Sequence, residues 1–102
     1  MQSIDAKDLR QKIDSGEDIF LVDVREPWER EFFNIGGISI PMNDITDHIN
    51  KIPKDKPVVF YCEKGIRSGI VIQRLAERNG FENLINLSGG IQAWKKAGLT
   101  PT

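Results

Sequence analysis

Val58-Val59-Phe60-Tyr61-Cys62-Glu63-Lys64-Gly65-Ile66-Arg67-Ser68 changes character halfway along. Val58 to Cys62 is the longest uninterrupted apolar run of the chain, and it predicts a buried strand from Pro57 to Tyr61. A polar loop follows. From about Arg67 to Asn79 the spacing of Ile70, Val71, Leu75 and Ala76 predicts a helix with those residues turned to a core and Gly80 as its stop. A strand that is apolar along its whole length, followed by a helix, belongs to a parallel sheet covered on both faces.

The same alternation continues in both directions. Upstream, Asp5 is placed to cap a helix over Ala6 to Asp14, with Leu9 and Ile13 on one face and Gly16 after it. Ile19 to Val24 reads as a second buried strand, Pro27 opens a short helix ending near Phe33, and Ile38-Ser39-Ile40 is a brief strand closed by Pro41. Asn43 or Asp44 opens a helix carrying Ile45, Ile49 and Ile52, and Pro53 to Pro57 is an exposed turn. Downstream, Leu84 to Leu87 is a strand, and Gly89-Gly90 leads into a closing helix with Ile91, Trp94 and Ala97. The pattern predicts one α/β domain over residues 1–102: a five-stranded, mainly parallel sheet flanked by helices on both faces. Ligands of such sheets sit beyond the carboxyl ends of the strands, and Cys62 stands at one of them.

Composition narrows the function. Fourteen Lys and Arg against fifteen Asp and Glu leave a net charge of −1, with no positive excess to hold a nucleic acid. No run approaches the roughly twenty apolar residues of a membrane span, and Met1 to Asp5 lacks the basic start and apolar stretch of a signal peptide. One cysteine makes no internal disulfide, and one histidine beside it makes no zinc site, so a reduced, cytoplasmic protein without metal or cofactor is expected.

The loop Cys62 to Ser68 carries the chemistry. A tight turn after the thiol can converge backbone N–H groups on one point, and the helix start adds free donors and partial positive charge. Gly65 permits the dihedrals needed to curl the chain, and Arg67 supplies a planar fork of donors. These features favour an anion beside the sulfur and a thiolate formed without a histidine base; Glu63 opposes this and Lys64 is expected to offset it. The competing reading is that a lone cysteine is a small buried hydrophobe.

The chain resembles the single-domain rhodaneses, a sulfurtransferase family, over nearly its whole length. Leu21-Val22-Asp23-Val24-Arg25-Glu26 matches the family's Asp-x-Arg-Glu signature, Ile40-Pro41 the end of its next segment, Cys62 to Ser68 its active-site loop, and Leu87-Ser88-Gly89-Gly90 with Trp94 its C-terminal signature. Phe33-Asn34-Ile35-Gly36-Gly37-Ile38 departs from the usual Gly-His-Ile-Pro-Gly-Ala: Asn34 replaces the histidine and the segment is one residue shorter before Pro41. That histidine is not the family's nucleophile, so the change bears on packing.

The resemblance implies that Cys62 is the catalytic residue, attacking the outer sulfur of a donor such as thiosulfate or a protein persulfide. It implies a substrate-binding loop of Glu63, Lys64, Gly65, Ile66, Arg67 and Ser68, supported by Asp23 and Arg25. With no second cysteine, discharge requires an external acceptor: cyanide, thioredoxin or a low-molecular-weight thiol. Related folds include phosphatases and arsenate reductases with five residues between Cys and Arg; here there are four, which suits a single sulfur atom. A sulfur-carrying or regulatory domain docked on a larger enzyme is the other alternative. Ser68 is expected to cap or begin the helix rather than bond the sulfur. Trp94, Phe20 and Phe60 are expected in the core, Trp28 packed under its short helix, and His48 solvated.

Overall fold

A computed structural model describes residues 1–101. Chain order runs β1 (Gln2–Ile4), α1 (Ala6–Asp14), β2 (Phe20–Asp23), α2 (Pro27–Phe32), β3 (Ile38–Ser39), a 3-10 segment (Met42–Lys51), β4 (Val58–Tyr61), α3 (Ile66–Asn79), β5 (Leu84–Leu87) and α4 (Gly90–Lys96). The five strands lie in the order β1-β5-β4-β2-β3, and every pair is parallel.

The central strand β4 is buried at all four positions, and its side chains alternate between two cores. Val58, Phe60 and Cys62 join Val22, Val71, Ile72 and Leu75 beneath α3, whereas Val59 and Tyr61 join Leu9, Leu87, Ile91 and Trp94 beneath α1 and α4. The period-two geometry of a strand thus gives the sheet an apolar layer on each face. The chain leaves β2 toward β3 and leaves β4 toward β5, in opposite directions across the sheet. A crevice opens where such neighbours part, and Cys62 lies there, one residue beyond the paired Asp23 and Tyr61 that end β2 and β4.

Several expectations are corrected. The strand β1 is absent from the sequence reading: three residues, two of them exposed, carry no apolar run and are ordered by pairing with β5. The segment after Pro41 forms 3-10 turns with a kink at half-buried His48, and Ile52 packs just beyond its end. Pro41 at the cap offers no side-chain acceptor, and the Asp44 N–H donates back only three residues, to Pro41 O at 2.8 Å. On α3, Ile72 replaces Ile70 and Ala76 on the buried face, because the stripe is set by the sheet's position. No helix among the described residues is long and apolar enough to cross a membrane.

Candidate active site

Cys62 Sγ accepts the N–H of Gly65 at 3.1 Å and the N–H of Ser68 at 3.4 Å, and lies 3.3 Å from Ser68 Oγ. These amides face inward because neighbouring carbonyls are engaged on the outside. The Ile91 N–H at the start of α4 donates to Cys62 O at 2.9 Å, and the Gln92 N–H donates to Glu63 O at 3.0 Å. The Asn86 side-chain amide on β5 donates to Gly65 O at 3.0 Å. Two glycines permit this curl. Gly65 takes φ +87° at the entry to α3, and Gly90 takes φ +60° so close that a β-carbon there would strike the Cys62 and Glu63 carbonyls.

The thiol is only 1% exposed and packs among core residues, yet it also lines a cavity of about 340 Å³ with Glu29, Glu63, Lys64, Ile66 and Arg67. Burial alone would make it an inert hydrophobe; two amides aimed at the sulfur and an opening to solvent do not fit that reading. A larger groove, about 630 Å³, runs along β1 and α1, but its lining contains no thiol.

The charges around the cavity are paired differently from the sequence reading. Arg67 is not free to face an anion: its fork grips both carboxylate oxygens of Glu29 at 2.8 Å each. That bidentate bond raises the Arg67 pKa against the effect of burial, and it holds Glu29 below the usual carboxylate range. Glu63 is paired with Arg25 Nη1 at 3.3 Å rather than offset by Lys64, which is exposed and makes no ion pair among the described residues.

Asp23 and Arg25 form a buried pair rather than a surface one, with Arg25 Nε 3.0 Å from Asp23 Oδ1 and Nη2 3.1 Å from Oδ2. Burial opposes the Arg25 charge, but the bonds and charge of Asp23, with Tyr61 and Glu63, outweigh it and raise the pKa. Arg25 also donates to the carbonyls of Glu29 and Phe33, so one guanidinium joins the end of β2, α2 and the Cys62 loop. Arg30 donates to Asp23 at 3.2 Å and to Tyr61 Oη at 3.2 Å. Asn34 closes its own turn, donating to Arg30 O at 3.1 Å and accepting the Gly36 N–H at 2.9 Å. The departure at Asn34 is therefore accommodated locally.

Two site residues escaped the sequence reading. Glu29 lies thirty-eight positions from Arg67, and its visible local signal is capping, where it accepts the Glu26 N–H at 3.1 Å. Asn86 did leave a signal, a polar residue within the apolar strand Leu84-Ile85-Asn86-Leu87. Ser68 stands at the beginning of α3, in its first turn, while Gly65 takes the cap; its hydroxyl also lies against the sulfur, which the sequence reading did not expect. Trp28 is 63% exposed and Phe32 84% exposed, their rings meeting edge-on at 6.5 Å, so Trp28 is not packed under its helix. Trp94 and Phe60 are fully buried, and Phe20 packs against the α3 core.

The family described as "Rhodanese-like domain" matches residues 5–97. The chain is 38% identical over 100 residues to "Sulfurtransferase" of Allochromatium vinosum, covering 97% of this chain and 92% of that one. It is 37% identical over 79 residues to "Thiosulfate sulfurtransferase GlpE" of Coxiella burnetii, covering 76% and 73%. Against some longer relatives it spans only 24% of their length. A crystal structure of a rhodanese-like domain protein from Staphylococcus aureus superposes with a TM-score of 0.86 at 33% identity, covering 100% of this chain and 99% of that one. These relatives support a sulfurtransferase-like role, and the chain belongs to the rhodanese-like domain family.

Proposed function

We propose that this chain transfers a sulfane sulfur from thiosulfate or a protein persulfide, through a persulfide on Cys62, to an external thiol or cyanide. The observation that carries this reading is the sulfur itself, held at the cavity by the N–H groups of Gly65 and Ser68. In the first half-reaction the thiolate attacks the donor's outer sulfur. The Sγ–S bond forms, the donor's S–S bond breaks, and the leaving group (sulfite from thiosulfate, the donor's own thiolate from a protein persulfide) departs with the electron pair. The outer sulfur then carries the negative charge, and the loop amides stabilise it. In the second, an acceptor thiolate or cyanide attacks that sulfur, and the Sγ–S electron pair returns to Cys62 as thiolate. Cys62 is the only cysteine, so the acceptor comes from outside the chain.

With Arg67 committed to Glu29 and Arg25 to Asp23, Lys64 supplies the unpaired positive charge that draws an anionic donor. The same commitment weighs against a phosphatase or arsenate reductase, as does the four-residue spacing from Cys62 to Arg67. A sulfur-carrier or docking role is the second reading, favoured by exposed Trp28 and Phe32 on α2, next to cavity-lining Glu29. A carrier would load from a protein persulfide and turn over thiosulfate poorly. A reducing, cytoplasmic setting suits either role, because the thiol must stay unoxidised.

The test is intact mass after thiosulfate treatment. The chain is expected to gain one sulfur atom and lose it to cyanide, and Cys62→Ser is expected to gain none while its thermal midpoint stays nearly unchanged. A wild-type chain that never gains the atom from either donor class would overturn the reading.

A further inference from the structure

We infer that Asn86 is a positioning residue that governs Cys62 through the hydroxyl proton of Ser68, an inference that rests on the sulfur-transfer reading for its role in turnover. The orientation of the Asn86 amide follows from its partners. Gly65 O can only accept, so the NH₂ group of Asn86 faces it at 3.0 Å, and the opposite branch, Oδ1, faces Ser68 Oγ at 2.5 Å. Oδ1 can only accept as well. The single proton of the Ser68 hydroxyl is therefore given to Asn86, and a lone pair of Oγ is left toward Cys62 Sγ at 3.3 Å.

That lone pair has a chemical consequence. A protonated Cys62 donates S–H to Oγ and completes a directed chain from Sγ through Oγ to Oδ1. A bare thiolate meets a lone pair instead, unless Ser68 turns its proton to the sulfur and leaves Asn86 Oδ1 without a donor. Asn86 thus biases the sulfur toward its uncharged forms. There are two of these in the cycle: the resting thiol, and the inner sulfur of the loaded persulfide, whose charge sits on the outer atom. The loop amides of Gly65 and Ser68 act in the opposite sense, and the two influences together set how much thiolate is present between turnovers.

The charged groups facing this sulfur come from other elements: Glu29 on α2, Glu63 and Lys64 in the loop, and Arg67 on α3, with the Asp23–Arg25 pair behind Glu63. Asn86 is uncharged, so replacing it changes none of them.

The test is the pH profile of iodoacetamide alkylation of the sole cysteine, with thermal unfolding as a check on folding. Asn86→Leu frees the Ser68 proton to turn to the thiolate, and the midpoint of the profile is expected to fall by about 0.5 to 1 pH unit. In a Ser68→Ala background the same substitution is expected to produce no shift, since the relayed proton is gone. A shift of equal size in that background would mean that Asn86 only shapes the loop through Gly65, and would overturn the inference; so would no shift, or a shift to higher pH, in the single variant. Asn86→Ala gives the same comparison if the leucine variant does not fold, and failure of both to fold would assign Asn86 a purely structural part. Because alkylation needs no sulfur donor, the outcomes separate. A chain that shows the shift but never loads sulfur sinks the transfer reading, whereas one that loads sulfur with an unmoved profile sinks the relay.

Discussion

Gly90 illustrates how much of the site depends on single atoms. It lies in α4, twenty-eight positions after Cys62, yet its missing side chain lets the Ile91 and Gln92 N–H groups reach the loop carbonyls. Gly90→Ala adds a β-carbon against the Cys62 and Glu63 carbonyls at a left-handed φ of +60°. It is expected to cost about 1–3 kcal/mol of stability and to slow sulfur loading tenfold or more. Gly80→Ala is the matched control: its φ is +68°, but nothing lies within 4 Å of the added atom. It is expected to cost about 1–2 kcal/mol and leave loading unchanged. Denaturant unfolding and loading followed by intact mass measure both effects. Equal loading rates for the two variants would show that the close approach of α4 does not shape the loop.

At the scale of elements, α2 buries no side chain and is held in part by polar contacts, above all the Glu29–Arg67 pair that ties it to α3. Glu29 has a lowered pKa in the folded chain, chiefly through its hydrogen bonds from Arg67. The pair's contribution is therefore full above the ordinary glutamate value near ~4.3 and is lost as pH falls through the lower folded value. Glu29→Gln is expected to lower stability at pH 7 by up to about 1 kcal/mol, a modest figure because the Arg67 side chain is 35% exposed. The gap between wild type and variant is expected to shrink toward pH 3 in thermal melts. The variant also releases Arg67 beside the cavity, so the KM for thiosulfate is expected to fall at low salt, and less so at high salt. A KM that rises or does not move would show that Arg67 does not attract the donor even when freed.

For the whole molecule, Tyr61 links the sheet to the segment around Asn34. Its hydroxyl donates to Gly36 O at 2.9 Å and accepts from Arg30 at 3.2 Å and from the Ile35 N–H at 3.4 Å. Burial first, and then the nearby Asp23 charge, push its pKa up to about 12. The folded state therefore prefers the neutral phenol. The stabilisation is complete below the unfolded value near ~10 and is lost as pH rises through the folded value. As the only tyrosine, it can be followed by its ultraviolet absorbance. Ionisation near pH 10 in the folded chain would contradict the packing, whereas a midpoint near 12, or ionisation coupled to global unfolding, is expected.

The apolar runs of β2, β4 and β5, the Asp5 cap of α1, the Pro27 start of α2 and the position of Cys62 at a strand end were all legible from the chain alone. Each rests on contacts between near neighbours or on the turn chemistry of one or two residues, and such patterns are written locally. The features that give the sulfur its surroundings were not legible. Arg67 finds Glu29, Ser68 finds both Cys62 and Asn86, and the loop carbonyls find α4, across separations of up to thirty-eight residues. Strand β1, and the outward turn of Ile70, Ala76 and Trp28, likewise depend on which neighbour the sheet order supplies. Local pattern determined that a thiol would stand beyond a parallel strand. Only the order β1-β5-β4-β2-β3 decided which distant donors and charges meet it, because a side chain's partner across a fold is set by where the backbone has already brought the two together.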